Sequence, residues 1–228
     1  MHIDKYLDMA QLVWLKDHIE GEMKEAIREI HLANRELTVT VRLRDLEQFL
    51  TFLRDDRDCQ FKMLVDLCGA DYPERAERFE VIYHLLSLTQ NMRVRVKVLI
   101  AEGQAVPTLI DVFPNANWYE RETYDMFGIP FEDHPDLRRI LTDYDFDGFP
   151  LRKDFPVEGK VELFYDEALK RCVYRPTNLA QPYRHFDWQS PWKALDDPYA
   201  LAEEDNTFDR GEFTGTELTR AKASGEDE

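Results

Sequence analysis

Cysteine is scarce in this sequence, and its three copies, Cys59, Cys68 and Cys172, stand far apart. An odd count with no CxxC pair argues against a disulfide framework and against a self-contained zinc or iron–sulfur site. Each cysteine reads as a small apolar core residue or a bystander. Glycine is sparse too: nine are present and none forms a GxG pair. Without such a pair the backbone has no ready way to approach a pyrophosphate, which excludes a Rossmann-type dinucleotide loop. No apolar run nears the ~18 residues that cross a bilayer; the longest, such as Val98-Leu99-Ile100-Ala101, are strand-sized. Membrane association is therefore expected only through a partner. Positive charge is the minority, with 29 Lys and Arg against 46 Asp and Glu, a net charge of −17. A surface of that sign repels phosphate backbones, so no nucleic-acid partner is expected. The opening Met1-His2-Ile3-Asp4-Lys5-Tyr6-Leu7-Asp8 has neither a basic start with an apolar core nor Arg-rich transit character, and a cytosolic start is expected.

What is present is an ordinary globular mixture, 43% hydrophobic and 33% charged over 228 residues, enough for one sizeable domain plus extensions. Residues 1–34 are expected to be a helical segment. Asp8 and Gln11 suit a capping box, and Leu12, Leu15, Ile19, Met23, Ile27 and Ile30 recur at three- to four-residue steps, with Gly21 as a candidate break and Asn34-Arg35 as a turn. Period-two alternation follows at Leu37, Val39, Val41 and Leu43, a half-buried strand. Asp45 and Gln48 repeat the capping pattern before a helix face at Leu46, Phe49, Leu50 and Leu53. Three more strands are expected, with Phe61, Met63, Val65 and Leu67, then Phe79, Val81, Tyr83 and Leu85, then Met92 through Ile100, facing inward. Thr89-Gln90-Asn91 would join the last two as a hairpin. This order gives an α+β fold, a two-layer domain over 35–160 with an antiparallel or mixed sheet and helices on one face. A further helix is expected near 115–127, capped by Asn115 and ended by a left-handed Gly128. Residues 161–174 suit a small hairpin within an arm spanning 161–199. Its aperiodic part carries Tyr183, Phe186, Trp188, Trp192 and Tyr199, large aromatics that need a surface to pack on. The acidic stretch 200–228 is expected to be disordered.

The densest charged cluster is Trp118-Tyr119-Glu120-Arg121-Glu122-Thr123-Tyr124-Asp125. On a helix, Glu122 and Asp125 would share a face and Arg121 would reach Asp125 at i+4. As chemistry, these carboxylates with His134 could form a metal site or an acid–base pair. As structure, they would pair with arginines and fix how the helix meets its neighbours, the commoner use of helical carboxylates near arginine. His134 beside Pro135 suits a turn hydrogen-bonder as readily as a ligand. Arg138, Arg139, Arg152 and Lys153 are interleaved with Asp143, Asp145, Asp147 and Asp154. They read either as a self-neutralised loop or as a surface shaped for one partner.

The run from Asn117 to Pro156, NWYERETYDMFGIPFEDHPDLRRILTDYDFDGFPLRKDFP, closely resembles the signature of the 30 kDa subunit of respiratory complex I. The matching positions are Glu120-Arg121-Glu122, Tyr124-Asp125, Met126-Phe127-Gly128, His134-Pro135, Arg138-Arg139-Ile140-Leu141 and Pro150-Leu151-Arg152-Lys153-Asp154. The region 37–112 is similar to the family more diffusely, and Val161–Trp192, with Phe186-Asp-Trp188-Gln-Ser-Pro-Trp192, is similar to its C-terminal arm. The resemblance implies a structural subunit of the proton-pumping NADH:quinone oxidoreductase, in the hydrophilic arm on the cytoplasmic face of a bacterial inner membrane. It implies docking to the 49 kDa quinone-site subunit and its neighbours, with FMN and iron–sulfur clusters in partner subunits and no cofactor, metal or catalytic residue in this chain. Two rivals stand beside it. One is the equivalent subunit of a related membrane-bound hydrogenase or dehydrogenase; the other is a free-standing enzyme using Glu122, Asp125 and His134.

Overall fold

A computed structural model describes residues 9–181 and Arg184. The aromatic positions Phe186, Trp188 and Trp192, and the stretch 200–228, lie outside the described residues. The described residues up to Val157 form one compact unit, and the described residues from Glu158 onward belong to a second.

The first unit is built on a five-stranded mixed sheet. Helix α1 (Met9–Met23) is followed by β1 (Ile27–Ala33) and β2 (Glu36–Val41), then α2 (Leu46–Asp55), β3 (Met63–Asp71), β4 (Phe79–Ser87) and β5 (Met92–Ile100). The strand order is β1-β2-β5-β4-β3. The β2–β5 pair is parallel and the other three are antiparallel. The parallel pair follows from the α2 crossover, since a chain that leaves β2 through a helix returns in the same direction. Strands β2, β4 and β5 alternate as their sequences require. Leu37, Val39 and Val41, with Val81, Tyr83 and Leu85 and with Val94, Val96 and Val98, turn one sheet face into the core. Leu12, Leu15 and Ile19 of α1, with Leu46, Phe49, Leu50 and Leu53 of α2, complete the same core cluster. Ser87 pairs with Met92 across the expected hairpin, whose Asn91 takes a left-handed φ of 52°.

Three expectations are corrected. The helical run ends at Met23, and Ile27–Ala33 is a strand. Asn34 and Arg35 both take positive φ, 52° and 62°, and this two-residue turn folds β1 back on β2, with Ala33 opposite Glu36. In β3, Met63 is exposed while Leu64 and Leu67 are buried. The register slips between Leu64 and Asp66, so Val65 is a bulge that reverses which side chains face inward. Asp45 does not cap α2 through its side chain but accepts a hydrogen bond from Arg44 Nε at 3.1 Å.

After β6 (Val106–Pro107) comes α3 (Ala116–Phe127) and then β7 (Phe131–Glu132), which pairs parallel with β6 and closes the loop around α3. Helix α3 lies along β3, the last strand of the sheet. Asn115 Nδ2 donates to Leu64 O at 2.8 Å instead of capping the helix, and Tyr119 Oη donates to Val65 O at 3.2 Å. An edge strand covered in this way cannot recruit another strand. In the second unit, β8 (Val161–Asp166) and β9 (Arg171–Pro176) form the expected hairpin.

Candidate functional site

Glu120 lies on the buried side of α3 and is fully enclosed. Its carboxylate accepts hydrogen bonds from Thr108 Oγ1 and from Leu109 N at 2.7 Å. Burial is the dominant influence and pushes its pKa up to about 7, against the opposing effect of those two donors. His134, its side chain equally buried, places Nε2 3.9 Å from Glu120 Oε2 and 3.3 Å from Asn117 O. Its Nδ1 accepts from Asp136 N at 3.0 Å. A ring nitrogen that accepts carries no proton, so with Nδ1 accepting, Nε2 is the nitrogen that donates to Asn117 O. Nearby, the Tyr83 hydroxyl is buried with no hydrogen-bonding partner among the described residues. Burial and the adjacent Glu120 raise its pKa well above the usual value.

Asp125 is the hub of the following loop. Its Oδ2 accepts from the backbone N–H of Ile140, Leu141 and Thr142 at 3.0, 2.7 and 2.9 Å. Its Oδ1 accepts from Arg139 Nη1 at 2.8 Å and from the Thr142 hydroxyl. Burial alone would raise the pKa of this enclosed carboxyl. The donors from Thr142, Leu141 and Arg139 outweigh it and hold the group well below the ordinary carboxylate range. Arg139 also donates to Gly148 O at 3.1 Å and lies over the Phe149 ring at 5.3 Å. The expected Arg121–Asp125 pair does not form. Arg121 reaches instead to the carbonyls of Arg138 and Arg139, at 3.2 and 3.4 Å, and covers the Trp118 ring.

The Pro150–Asp154 run is tied down the same way. Leu151 N donates to Met126 O at 3.1 Å. Arg152 Nε donates to Phe127 O and its Nη1 to Glu102, both at 2.6 Å, with the guanidinium 4.6 Å from the Phe149 ring centre. Lys153 N donates to Asp71 Oδ2 at 2.8 Å, and Asp71 is gripped by Arg78 through two bonds of 2.7 and 2.9 Å. Arg78 also meets Asp154 at 3.0 Å. Gly128 takes φ 73° to end α3, and a Cβ there would stand 2.6 Å from the Phe149 ring. Only glycine fits both demands.

The carboxylates nominated for chemistry do not converge. Glu122 is exposed, Asp125 is enclosed, and His134 belongs with Glu120. A broad surface groove lined by Arg42, Arg44, Glu47, Gln104 and Glu132 contains none of them. What the signature leaves outside is a set of large apolar side chains: Trp118, Leu141, Tyr144 and Leu151. The second unit goes further. Its hairpin exposes Val161, Leu163, Phe164, Tyr165 and Tyr174, on both of its faces. A two-stranded hairpin in water is marginal at best, and one this apolar is built to be covered.

The family described as the respiratory-chain NADH dehydrogenase 30 Kd subunit matches residues 39–161. The chain belongs to this family. Among its relatives, the C subunit of the NADH-quinone oxidoreductase of Maricaulis maris is 56% identical over 179 residues, covering 78% of this chain and 90% of its own. That of Hyphomonas neptunium is 52% identical over 189 residues, 83% of this chain and 94% of its own. That of Dinoroseobacter shibae is 48% identical over 206 residues, 90% and 95%. The family match begins within β2, runs through the signature loop and stops at the first residue of the apolar hairpin.

Sequence spacing missed several members of the network. Thr108 and Leu109 serve Glu120; Asp71, Arg78 and Glu102 anchor the Pro150–Asp154 run. A lone Thr in a loop, or an Asp at the last position of a strand, carries no periodic signal. The one available hint was that Asp71 and Arg78 stand seven positions apart on either side of the β3–β4 turn.

Proposed function

We propose that this chain is a structural subunit of a proton-pumping NADH:quinone oxidoreductase, carrying no redox centre itself. It sits in the hydrophilic arm on the cytoplasmic face of a bacterial inner membrane, against the 49 kDa quinone-site subunit. FMN and the iron–sulfur clusters belong to partner subunits. Membership of the 30 kDa family carries the reading. The geometry supports it, because Glu120, Asp125, Arg121, Arg139 and Arg152 are engaged with one another's loops and with backbone groups, and the remaining carboxylate, Glu122, stands apart from His134 on the exposed side of the helix. No helix among the described residues is long and apolar enough to cross a membrane, in keeping with attachment through partners.

Docking uses the exposed rim of the signature, Trp118, Leu141, Tyr144 and Leu151, and, as separate contacts, the apolar hairpin and the aromatic residues Phe186, Trp188 and Trp192. Large apolar and aromatic groups of this kind form the buried centres of stable interfaces, and permanent interfaces commonly bury ~2,000–5,000 Å². The test is a pull-down of the tagged full-length chain from solubilised membranes. It should bring down the NADH:quinone oxidoreductase with its 49 kDa subunit, whereas a chain lacking residues 176–228 should fold and fail to co-purify with the complex. Recovery of a hydrogenase in place of that complex would overturn the assignment, and normal assembly of the shortened chain would overturn the docking arm.

A further inference from the structure

Outside the signature, the fold brings together three side chains that sequence spacing keeps apart. His18 comes from α1; Asp56 is the residue that ends α2; Cys59 lies in the connection to β3. Asp56 Oδ1 accepts from Asp58 N at 3.0 Å and Cys59 N at 2.9 Å, a tight turn that folds Cys59 back toward the carboxylate. His18 Nε2 lies 3.2 Å from the same oxygen although the two residues are 38 positions apart. The His18 ring is held by stacking on Trp14, with ring centres 5.1 Å apart and planes inclined by 9°. Phe52 flanks its other side at 6.0 Å. One donor atom from each of the three residues lies within 4.8 Å of the others.

We propose that His18, Asp56 and Cys59 form a binding site for a thiophilic divalent cation of the zinc class. One imidazole nitrogen, one carboxylate oxygen and one sulfur suit a borderline-soft ion with tetrahedral preference, and they suit magnesium or calcium poorly, since those ions require oxygen ligands. The carboxylate is oriented by the turn amides that bond its Oδ1 and the imidazole by the Trp14 ring, as metal ligands commonly are held by neighbouring groups. Cys59 is fully buried, while His18 and Asp56 are 20% and 22% exposed. The ion therefore enters from the side of those two residues, and its fourth position faces solvent. On binding, sulfur exchanges its proton for the metal and the proton passes to water. A bound ion would clip α1 to the α2–β3 connection.

The test titrates Co²⁺ and then Zn²⁺ into the full-length chain. One equivalent of Co²⁺ should give the near-ultraviolet absorption of a thiolate–cobalt bond, and Zn²⁺ should bleach it. His18→Ala should weaken binding by about tenfold or more. Cys59→Ala should abolish the absorption, and a Cys68→Ala, Cys172→Ala double variant should keep it. Zn²⁺ should raise the Tm of the parent and raise that of His18→Ala by less at the same concentration. The proposal is overturned if saturating Co²⁺ gives no such absorption, if the absorption survives Cys59→Ala, or if His18→Ala binds as tightly as the parent. Should Cys59→Ala fail to fold, loss of the absorption in the Cys68, Cys172 double variant would overturn it instead.

Discussion

The signature segment 117–156 and the hairpin 161–176 are neighbours in sequence and opposites in physical character. In the first, polar groups face inward. Asp125 gathers five donors from Arg139, Ile140, Leu141 and Thr142, and Arg152 is held by Phe127 O and Glu102. In the second, apolar groups face outward, with Leu163, Phe164 and Tyr174 all more than 40% exposed. The contrast teaches that the polar residues most diagnostic of the family order a loop against the fold, whereas the hairpin beyond them leaves its apolar side chains uncovered. A charged motif in an acidic protein invites a reading as an interface; here the charges close a loop onto the fold.

The comparison can be broken by substitution, and the largest effect is expected at Asp125. In Asp125→Asn the Arg139 guanidinium loses its charged partner in a largely buried setting, which should cost about 4 kcal/mol of stability. Chemical denaturation of the isolated chain measures this; a loss under ~1 kcal/mol would mean that the loop is ordered by partners.

Glu120 sharpens the comparison through pH. Its folded pKa of about 7 lies above its ordinary value of 4.5, so the unfolded chain ionises first. Stability from this group is complete below about pH 4.5 and is lost as pH rises through 7. Glu120→Gln mimics the protonated form and should remove that loss, so the variant should gain about 3 kcal/mol relative to the parent between pH 4.5 and 8. A difference independent of pH would show that the carboxyl stays ionised throughout. Gly128→Ala comes next. Positive φ and the close Phe149 ring should together cost about 2 kcal/mol, read as a lowered Tm. The smallest stability effect is expected in the hairpin, where Phe164→Ser and Tyr174→Ser should each change the stability of the free chain by less than ~0.5 kcal/mol. The same variants should reduce recovery of the assembled complex. Equal losses in the free chain would place these side chains in a core.

Much of the fold was readable because period-two alternation at 37–41, 79–85 and 92–100 has one geometric meaning. Strand β1 was not, since Ile27 and Ile30 also continue the helical spacing of Ile19 and Met23, and only the Asn34-Arg35 turn favoured a strand. The facing of β3 was hidden by the bulge at Val65, which no alternation rule anticipates. At the site, helix α3 and left-handed Gly128 were legible from local chemistry. The pairings were not. Asp125 finds Arg139 and Glu120 finds His134 each 14 residues away, across a loop whose path depends on those very contacts.

The most direct measurement is amide hydrogen exchange on the full-length chain, free and within the assembled complex. The account predicts that Ile140, Leu141 and Thr142 are already protected in the free chain, and that residues 161–176 gain protection only on assembly. Rapid exchange at 140–142 in the free chain, slowed only by partners, would contradict it.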